Sequence, residues 1–157
     1  MEMKDQTISL VVNNRPDVLA RVAGIFSGRG FNIENISANV MKTSDITKIT
    51  IVTRGDRTTV VKIEKQLKKL VDILSVTHIN GDKSAQRELL LLRLALNDEC
   101  KDDILKTVET RKGRTLATGE DDCIVEFTGS TDDIDSVLAD FDTAQIKDMS
   151  RSGIVAL

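Results

Sequence analysis

The chain runs twice through one order of hydrophobic periodicities: strand, helix, strand, strand, helix, strand. In the first pass Thr7 to Val12 alternates, with Ile8, Leu10 and Val12 on one side and Thr7, Ser9 and Val11 on the other. That alternation predicts a strand with at least one buried face. Asn13-Asn14-Arg15-Pro16-Asp17 breaks it. Asn14 can cap a helix, Pro16 suits the first helical turn where an N–H is not needed, and Asp17 suits the helix dipole. Val18, Leu19, Val22, Ile25 and Phe26 follow at helical spacing, and Gly28-Arg29-Gly30 ends the helix, with Gly30 as the left-handed residue. Phe31 to Met41 and Ile46 to Thr53 read as two strands joined by a turn near Thr43-Ser44-Asp45, an antiparallel hairpin. After Arg54-Gly55-Asp56, a helix starting at Thr58 or Thr59 carries Val60, Ile63, Leu67 and Leu70, and Val71 to Ile79 is a further strand.

The second pass begins at Glu88 to Leu96, where the continuous run Leu89 to Leu92 predicts burial on both faces. A helix capped by Asn97 or Asp98 carries Ile104, Leu105 and Val108 and ends at Gly113. Arg114 to Thr118 and Cys123 to Thr128 are strands around Gly119-Glu120-Asp121-Asp122. Ser130 or Thr131 caps a helix with Ile134, Val137, Leu138 and Phe141. Ile146 and then Ile154-Val155-Ala156-Leu157 form one last strand, interrupted near Arg151-Ser152-Gly153. The expected fold class is α+β, with two ferredoxin-like (β-α-β-β-α-β) domains. The polar stretch Asn80-Gly81-Asp82-Lys83-Ser84 holds an Asn-Gly turn signal. It sets the expected domains at 1–79 and 85–157, with 80–84 as linker. Charge shifts at the same place: residues 1–80 hold 12 Lys and Arg against 8 Asp and Glu, net +4, and residues 81–157 hold 10 against 17, net −7.

Composition removes several functions. With four Phe and neither Trp nor Tyr, the sheets lack the aromatic platforms on which single-stranded nucleic acid stacks. A net charge of −3 argues against a phosphate-backbone surface, so no nucleic-acid partner is expected. No run of 18 apolar residues exists, so no membrane partner is expected, and Met1-Glu2-Met3-Lys4-Asp5 has no signal-peptide character. Two cysteines, Cys100 and Cys123, make no disulfide framework, which points to a reducing cytoplasm.

A catalytic or metal centre is hard to assemble. The one histidine, His78, stands in a strand without a Cys or carboxylate pair beside it, and Cys100 and Cys123 are too far apart for a zinc knuckle. The acidic clusters from Asp98 and from Asp132 sit at helix starts, where they complement the dipole. Neither a P-loop nor Gly-x-Gly-x-x-Gly occurs. The loop from Asn13 to Leu19 is different. It leads a strand into a helix N-terminus, where N–H groups favour a small carboxylate. Asn14 and Asn32 lie at opposite ends of that helix, so their amides need not meet within one chain but could meet across a dimer interface; otherwise Asn14 caps the helix and Asn32 shapes a turn.

Asn13-Asn14-Arg15-Pro16-Asp17-Val18-Leu19-Ala20-Arg21-Val22 resembles the start of an ACT domain, an amino-acid-sensing module. Arg29-Gly30-Phe31-Asn32-Ile33-Glu34 resembles the sequence after the first helix in the regulatory small subunits of acetohydroxyacid synthase (acetolactate synthase). Gln66 to Asp72, Arg87-Glu88-Leu89 and Arg151 to Leu157 are similar to later stretches of that family, so the resemblance covers nearly the whole chain. It implies no catalytic centre here, a thiamine-diphosphate-dependent catalytic subunit as partner, activation of that subunit, and feedback inhibition by valine or another branched-chain amino acid. Thiamine diphosphate, Mg and FAD would belong to the catalytic subunit. ACT units would pair as a homodimer. Positions matching the family's effector site are Asn14, Asp17, Val18 and Leu19, with Asn32 and Ile33 supplied by the second copy. The family usually has Gly where this chain has Asp17. A carboxylate there adds bulk and repels an effector carboxylate, so the expectation is weakened or absent valine inhibition, or a different ligand, softened if Arg15 neutralises Asp17. Two other functions fit the same topology. One is a stand-alone ACT-type sensor regulating another protein. The other is an acylphosphatase-like enzyme, which needs a Gly-rich phosphate loop that Asn13 to Leu19 does not provide.

Overall fold

The alternation of the first segment becomes strand β1, Lys4–Asn13, which lies at the centre of a four-stranded antiparallel sheet. The structure is a computed structural model that describes residues 3–42, 45–79, 84–97 and 100–157. Helix α1 spans Val18–Ser27, β2 Asn35–Val40, β3 Ile46–Gly55, α2 Arg57–Leu67 and β4 Ile73–Ile79. The sheet order is β2-β3-β1-β4. Ile8, Leu10 and Val12 of β1 and Ile49 and Ile51 of β3 meet Val18, Val22 and Phe26 of α1 and Val60, Ile63 and Leu67 of α2. Period 2 in the strands and period 3.6 in the helices thus converge on one layer of aliphatic side chains.

The second unit repeats the plan with β5 (Gln86–Ala95), α3 (Lys101–Thr110), β6 (Arg114–Thr118), β7 (Asp122–Gly129), α4 (Thr131–Ala139) and β8 (Ile146–Arg151), in sheet order β6-β7-β5-β8. Its core joins Leu90, Leu92 and Leu94 to Val125, Phe127, Ile104, Val108 and Ile134. The fold class is therefore α+β with two ferredoxin-like units.

Several local expectations are corrected. The leucine run is buried on alternate residues: Leu90 and Leu92 are fully buried, while Leu89 and Leu91 are half-buried. Strand β2 begins four residues later than predicted, because Phe31 and Ile33 pack against the core as loop residues. Asn14 does not cap α1. The N-cap residue is Asp17, without a side-chain cap bond, and Pro16 precedes the helix. Helix α2 starts at Arg57 because the Asp56 carboxylate, not a threonine, accepts the Thr59 N–H at 2.7 Å. Ser130 does cap α4, in a capping box closed by Asp133. Asn97 Oδ1 accepts from Cys100 N at 2.8 Å in the turn before α3, while Asp98, with most of the expected turn at 43–45 and most of the linker at 80–84, lies outside the described residues.

The two helix ends differ instructively. Gly30 takes φ 70°, and Phe31 N reaches back to Phe26 O at 2.9 Å. The same geometry ends α3, with Gly113 N on Val108 O at 2.7 Å, but the left-handed residue is Lys112 at φ 57°. Gly113 has a different role: a Cβ there would run into the Phe127 ring. Left-handed backbone is unfavourable for a residue with a Cβ. Lys112→Gly is therefore expected to stabilise the second unit by about 1 kcal/mol, read as a higher urea midpoint.

The chain forms two compact units. The compact units are Met1–Gln86 together with Ile154–Leu157, and Arg87–Gly153. Strand β8 is complete at Arg151, and Val155–Ala156 forms a short strand, β9, that pairs with β5 and makes the second sheet five-stranded. The last four residues belong to the first unit.

Elsewhere, His78 Nε2 is 3.0 Å from Gln6 Oε1, a strand-to-strand contact. Cys100 and Cys123 are free, and burial pushes the Cys123 thiol above its ordinary value. Among the described residues no cluster of three or more His, Cys, Asp or Glu side chains is arranged to hold a metal ion, and no helix is long and apolar enough to cross a membrane.

Candidate functional site

Where β1 ends, the chain turns through Asn13 to Asp17 before α1 can begin. This turn stands over the far ends of β2 and β3, and a cavity of about 460 Å³ opens between them. One wall is the turn and the helix start: Asn13, Asn14, Arg15, Pro16, Val18 and Leu19. The other is the sheet: Ala38 and Val40 of β2, Thr47 and Ile49 of β3, with Val12 beneath. Its chemistry is divided. Asn13, Asn14, Arg15 and Thr47 bring polar residues to the lining, and Val12, Val18, Leu19, Ala38, Val40 and Ile49 bring aliphatic ones. Because Val18 and Leu19 open α1, the positive end of that helix lies at the wall.

Asn14 is oriented across the cavity, its Oδ1 accepting from Thr47 Oγ1 at 3.1 Å. The turn is held from behind by Asp72, a buried carboxylate just before β4. Asp72 accepts from Arg21 Nη1 at 3.1 Å and Asn13 Nδ2 at 3.4 Å, and lies 3.5 Å from Arg15 Nε. Its carbonyl also accepts the Asn13 N–H at 2.9 Å. A buried carboxylate draws its three partners to it, because leaving that charge without partners is costly.

Asp17 is not in the lining. Its carboxylate pairs with Arg21 one helical turn on, and that hydrogen bond holds it below its ordinary value. Arg21, rather than Arg15, is therefore the direct partner, and Arg15 is engaged by Asp72. Asn32 and Ile33 lie away from the cavity of their own chain. Asn32 Nδ2 donates to Glu34 Oε1 at 2.9 Å, its carbonyl accepts from Thr53 Oγ1 at 2.6 Å, and Ile33 packs on the first core. Of the residues singled out from the sequence, Asn14, Val18 and Leu19 meet at the cavity; Asp17, Asn32 and Ile33 do not.

The sheet side was missed by sequence reasoning, and so was Asp72. Ile36, Ala38 and Val40 pair with Ile51, Ile49 and Thr47, which places them on the helix-bearing face. They are nonetheless exposed, as are Leu19 and Met41. Strand β2 is also the sheet edge, with one side of its backbone unpaired within the sheet. The cavity therefore opens onto an apolar, unfinished margin.

Two ferredoxin-like units, the first with an amide-and-aliphatic cavity at its first strand-to-helix turn, define a protein built on an ACT domain. Residues 8–75 match the family of AHAS small subunit-like ACT domains, and residues 87–157 match the family described as small subunit of acetolactate synthase. A probable acetolactate synthase small subunit of Archaeoglobus fulgidus is 36% identical over 151 residues, covering 96% of this chain and 94% of its own. The acetolactate synthase small subunit of Buchnera aphidicola is 34% identical over 151 residues, with 96% of each chain covered. The crystal structure of the acetolactate synthase small subunit from Thermotoga maritima superposes with a TM-score of 0.91 at 31% identity, over 98% of this chain and 96% of that one. The chain belongs to the acetolactate synthase small subunit family, and its ACT domain implies a regulatory role.

Proposed function

We propose that this chain binds and activates the thiamine-diphosphate-dependent catalytic subunit of acetolactate synthase and makes it responsive to a branched-chain amino acid, valine first among those to test. The observation that carries the effector half of this reading is the divided cavity. Asn14, Arg15 and the start of α1 suit a carboxylate and an ammonium, and Val18, Ala38, Val40 and Ile49 suit a branched aliphatic side chain. Two copies pair along β2, so that Asn32 and Ile33 of one come to the open margin of the other; the exposed apolar edge supports this. Asp17 is withdrawn onto Arg21, so its charge opposes an effector carboxylate less than its position in the sequence suggests. No catalytic group is assigned to this chain, thiamine diphosphate, Mg and FAD belong to the partner, and the complex works in the cytoplasm.

The test is acetolactate formation by the matching catalytic subunit with this chain titrated in, with and without valine. A saturable rise in rate, reduced by valine, is expected. No rise at any ratio, with both proteins folded, returns the chain to the stand-alone sensor reading. A rise that valine leaves untouched rejects valine as the effector.

A further inference from the structure

We propose that the last four residues are a latch, hinged at Gly153, whose docking on the outer face of the first sheet is linked to the state of the effector cavity on the other face. The linkage rests on the effector reading above; the docking does not.

The docking is specific. Ile154 and Ala156 are buried while Val155 and Leu157 are exposed, the alternation of a strand laid on a surface. The two inward side chains cluster with Val52 and, beside it, Ile79. Val52 pairs with Thr7 of β1 and Asn35 of β2, and Thr7 pairs with Ile79 of β4, so this row runs across the face turned away from the helices. Three polar grips hold the tail backbone. Asn35 Oδ1 accepts the Ile154 N–H at 3.2 Å, Lys48 Nζ donates to the Ala156 carbonyl at 2.9 Å, and Leu157 and Ala85 exchange N–H···O bonds at 3.0 and 2.9 Å.

The hinge is equally defined. Ser152 is anchored to β5 just before the turn: its N–H donates to Leu89 O at 2.9 Å and its hydroxyl accepts the Leu89 N–H at 3.0 Å. Gly153 then takes φ 71°, a conformation open to glycine, and separates β8 from the short strand β9, which pairs with the start of β5. Between Gly153 and Leu157 only Ile154 and Ala156 are buried, so release of this stretch is a local opening rather than global unfolding.

The linkage follows from strand geometry. Thr47 and Ile49 face the cavity, and Lys48 between them faces the tail. Asn35 stands on β2, whose Ala38 and Val40 line the cavity. Two of the three grips therefore come from the two strands that form the cavity's sheet wall. Any rearrangement of those strands on filling the cavity moves the grips, and by reciprocity tail docking alters effector affinity by the same factor.

Amide hydrogen exchange on the full chain tests both parts. Lys48→Met removes the ammonium and keeps the stem. Exchange at the Leu157 and Ala85 amides is expected to quicken about tenfold while core amides of β1 stay protected. Thr47→Val removes the hydroxyl that meets Asn14 without touching the tail, and is expected to change the same two amides by roughly threefold or more. Saturating valine should shift them in wild type, and Lys48→Met should change the valine Kd by the matching factor. Free-peptide exchange at Leu157 in wild type, or no response to Lys48→Met, overturns the latch. A response to Lys48→Met but none to Thr47→Val overturns the linkage. Failure of valine to bind wild type counts against the effector reading alone, since the Thr47→Val comparison needs no ligand.

Discussion

Arg151→Ala is expected to cost the second unit about 3 kcal/mol and to lower its thermal midpoint by roughly 15 °C. Glu88 is buried, and its carboxylate is satisfied by Arg151 and by Thr131 Oγ1 at 2.6 Å. Arg151 also reaches Asp135 at 2.7 Å, so one guanidinium ties β5, α4 and β8 together. Truncation leaves a buried carboxylate with a single hydroxyl donor, and the penalty comes from that stranded charge more than from the lost attraction. The double variant Glu88→Met/Arg151→Met separates the two contributions. Replacing both charges with apolar groups should recover most of the loss, because the pair's own desolvation cost disappears with it. Calorimetric scans of wild type, single and double variants decide this. An Arg151→Ala midpoint within 3 °C of wild type would mean that water reaches Glu88 and that the pair is ornamental.

The order of elements was readable in the sequence because it rests on local alternation and helical spacing, as in Ile8-Leu10-Val12 and Val60-Ile63-Leu67. Caps were less so. Asn14 and Asp17 are both good N-cap types, and the choice depends on backbone angles that residue type alone does not specify. The tail's contacts with the first sheet have a longer-range origin. Ile154 to Leu157 is a plausible continuation of β8, and what separates it is Gly153 together with a grip from Lys48, 108 residues earlier.

At the site, the same division holds. Asn14, Val18 and Leu19 were accessible as a strand-to-helix turn with an amide and aliphatic neighbours. Ala38, Val40, Thr47 and Ile49 were not, because nothing local says that β2 and β3 end opposite that turn. Asp72 carried a faint signal, a lone carboxylate between Val71 and Ile73. Its work in holding Arg15, Arg21 and Asn13 appears only once β4 is laid beside β1. The direction of the Asp17 side chain was equally out of reach. Arg21 is an i+4 neighbour and a natural partner for it, but Arg15, two residues before it, offers the same charge.

Ala38→Trp should reduce binding of the effector by more than about thirtyfold while leaving the fold in place. Ala38 is exposed on an edge strand, and its side chain is directed at the cavity beside Val40 and Ile49. An indole there occupies the volume that the aliphatic part of the ligand needs, and because Ala38 is exposed and lies outside the core formed by Ile8, Leu10, Ile49 and Ile51, the core is left in place. Losing the apolar contacts of one branched side chain is worth about 2 kcal/mol, roughly thirtyfold, before any steric exclusion. Titration calorimetry with valine measures the loss, and a thermal scan of the same sample shows whether the unit remains folded. Wild-type affinity in a folded Ala38→Trp chain would place the effector elsewhere and leave the cavity without that role. Loss of binding with the fold intact would assign recognition to the sheet wall as well as to the Asn14 turn, and so to β2, whose Asn35 also holds the tail.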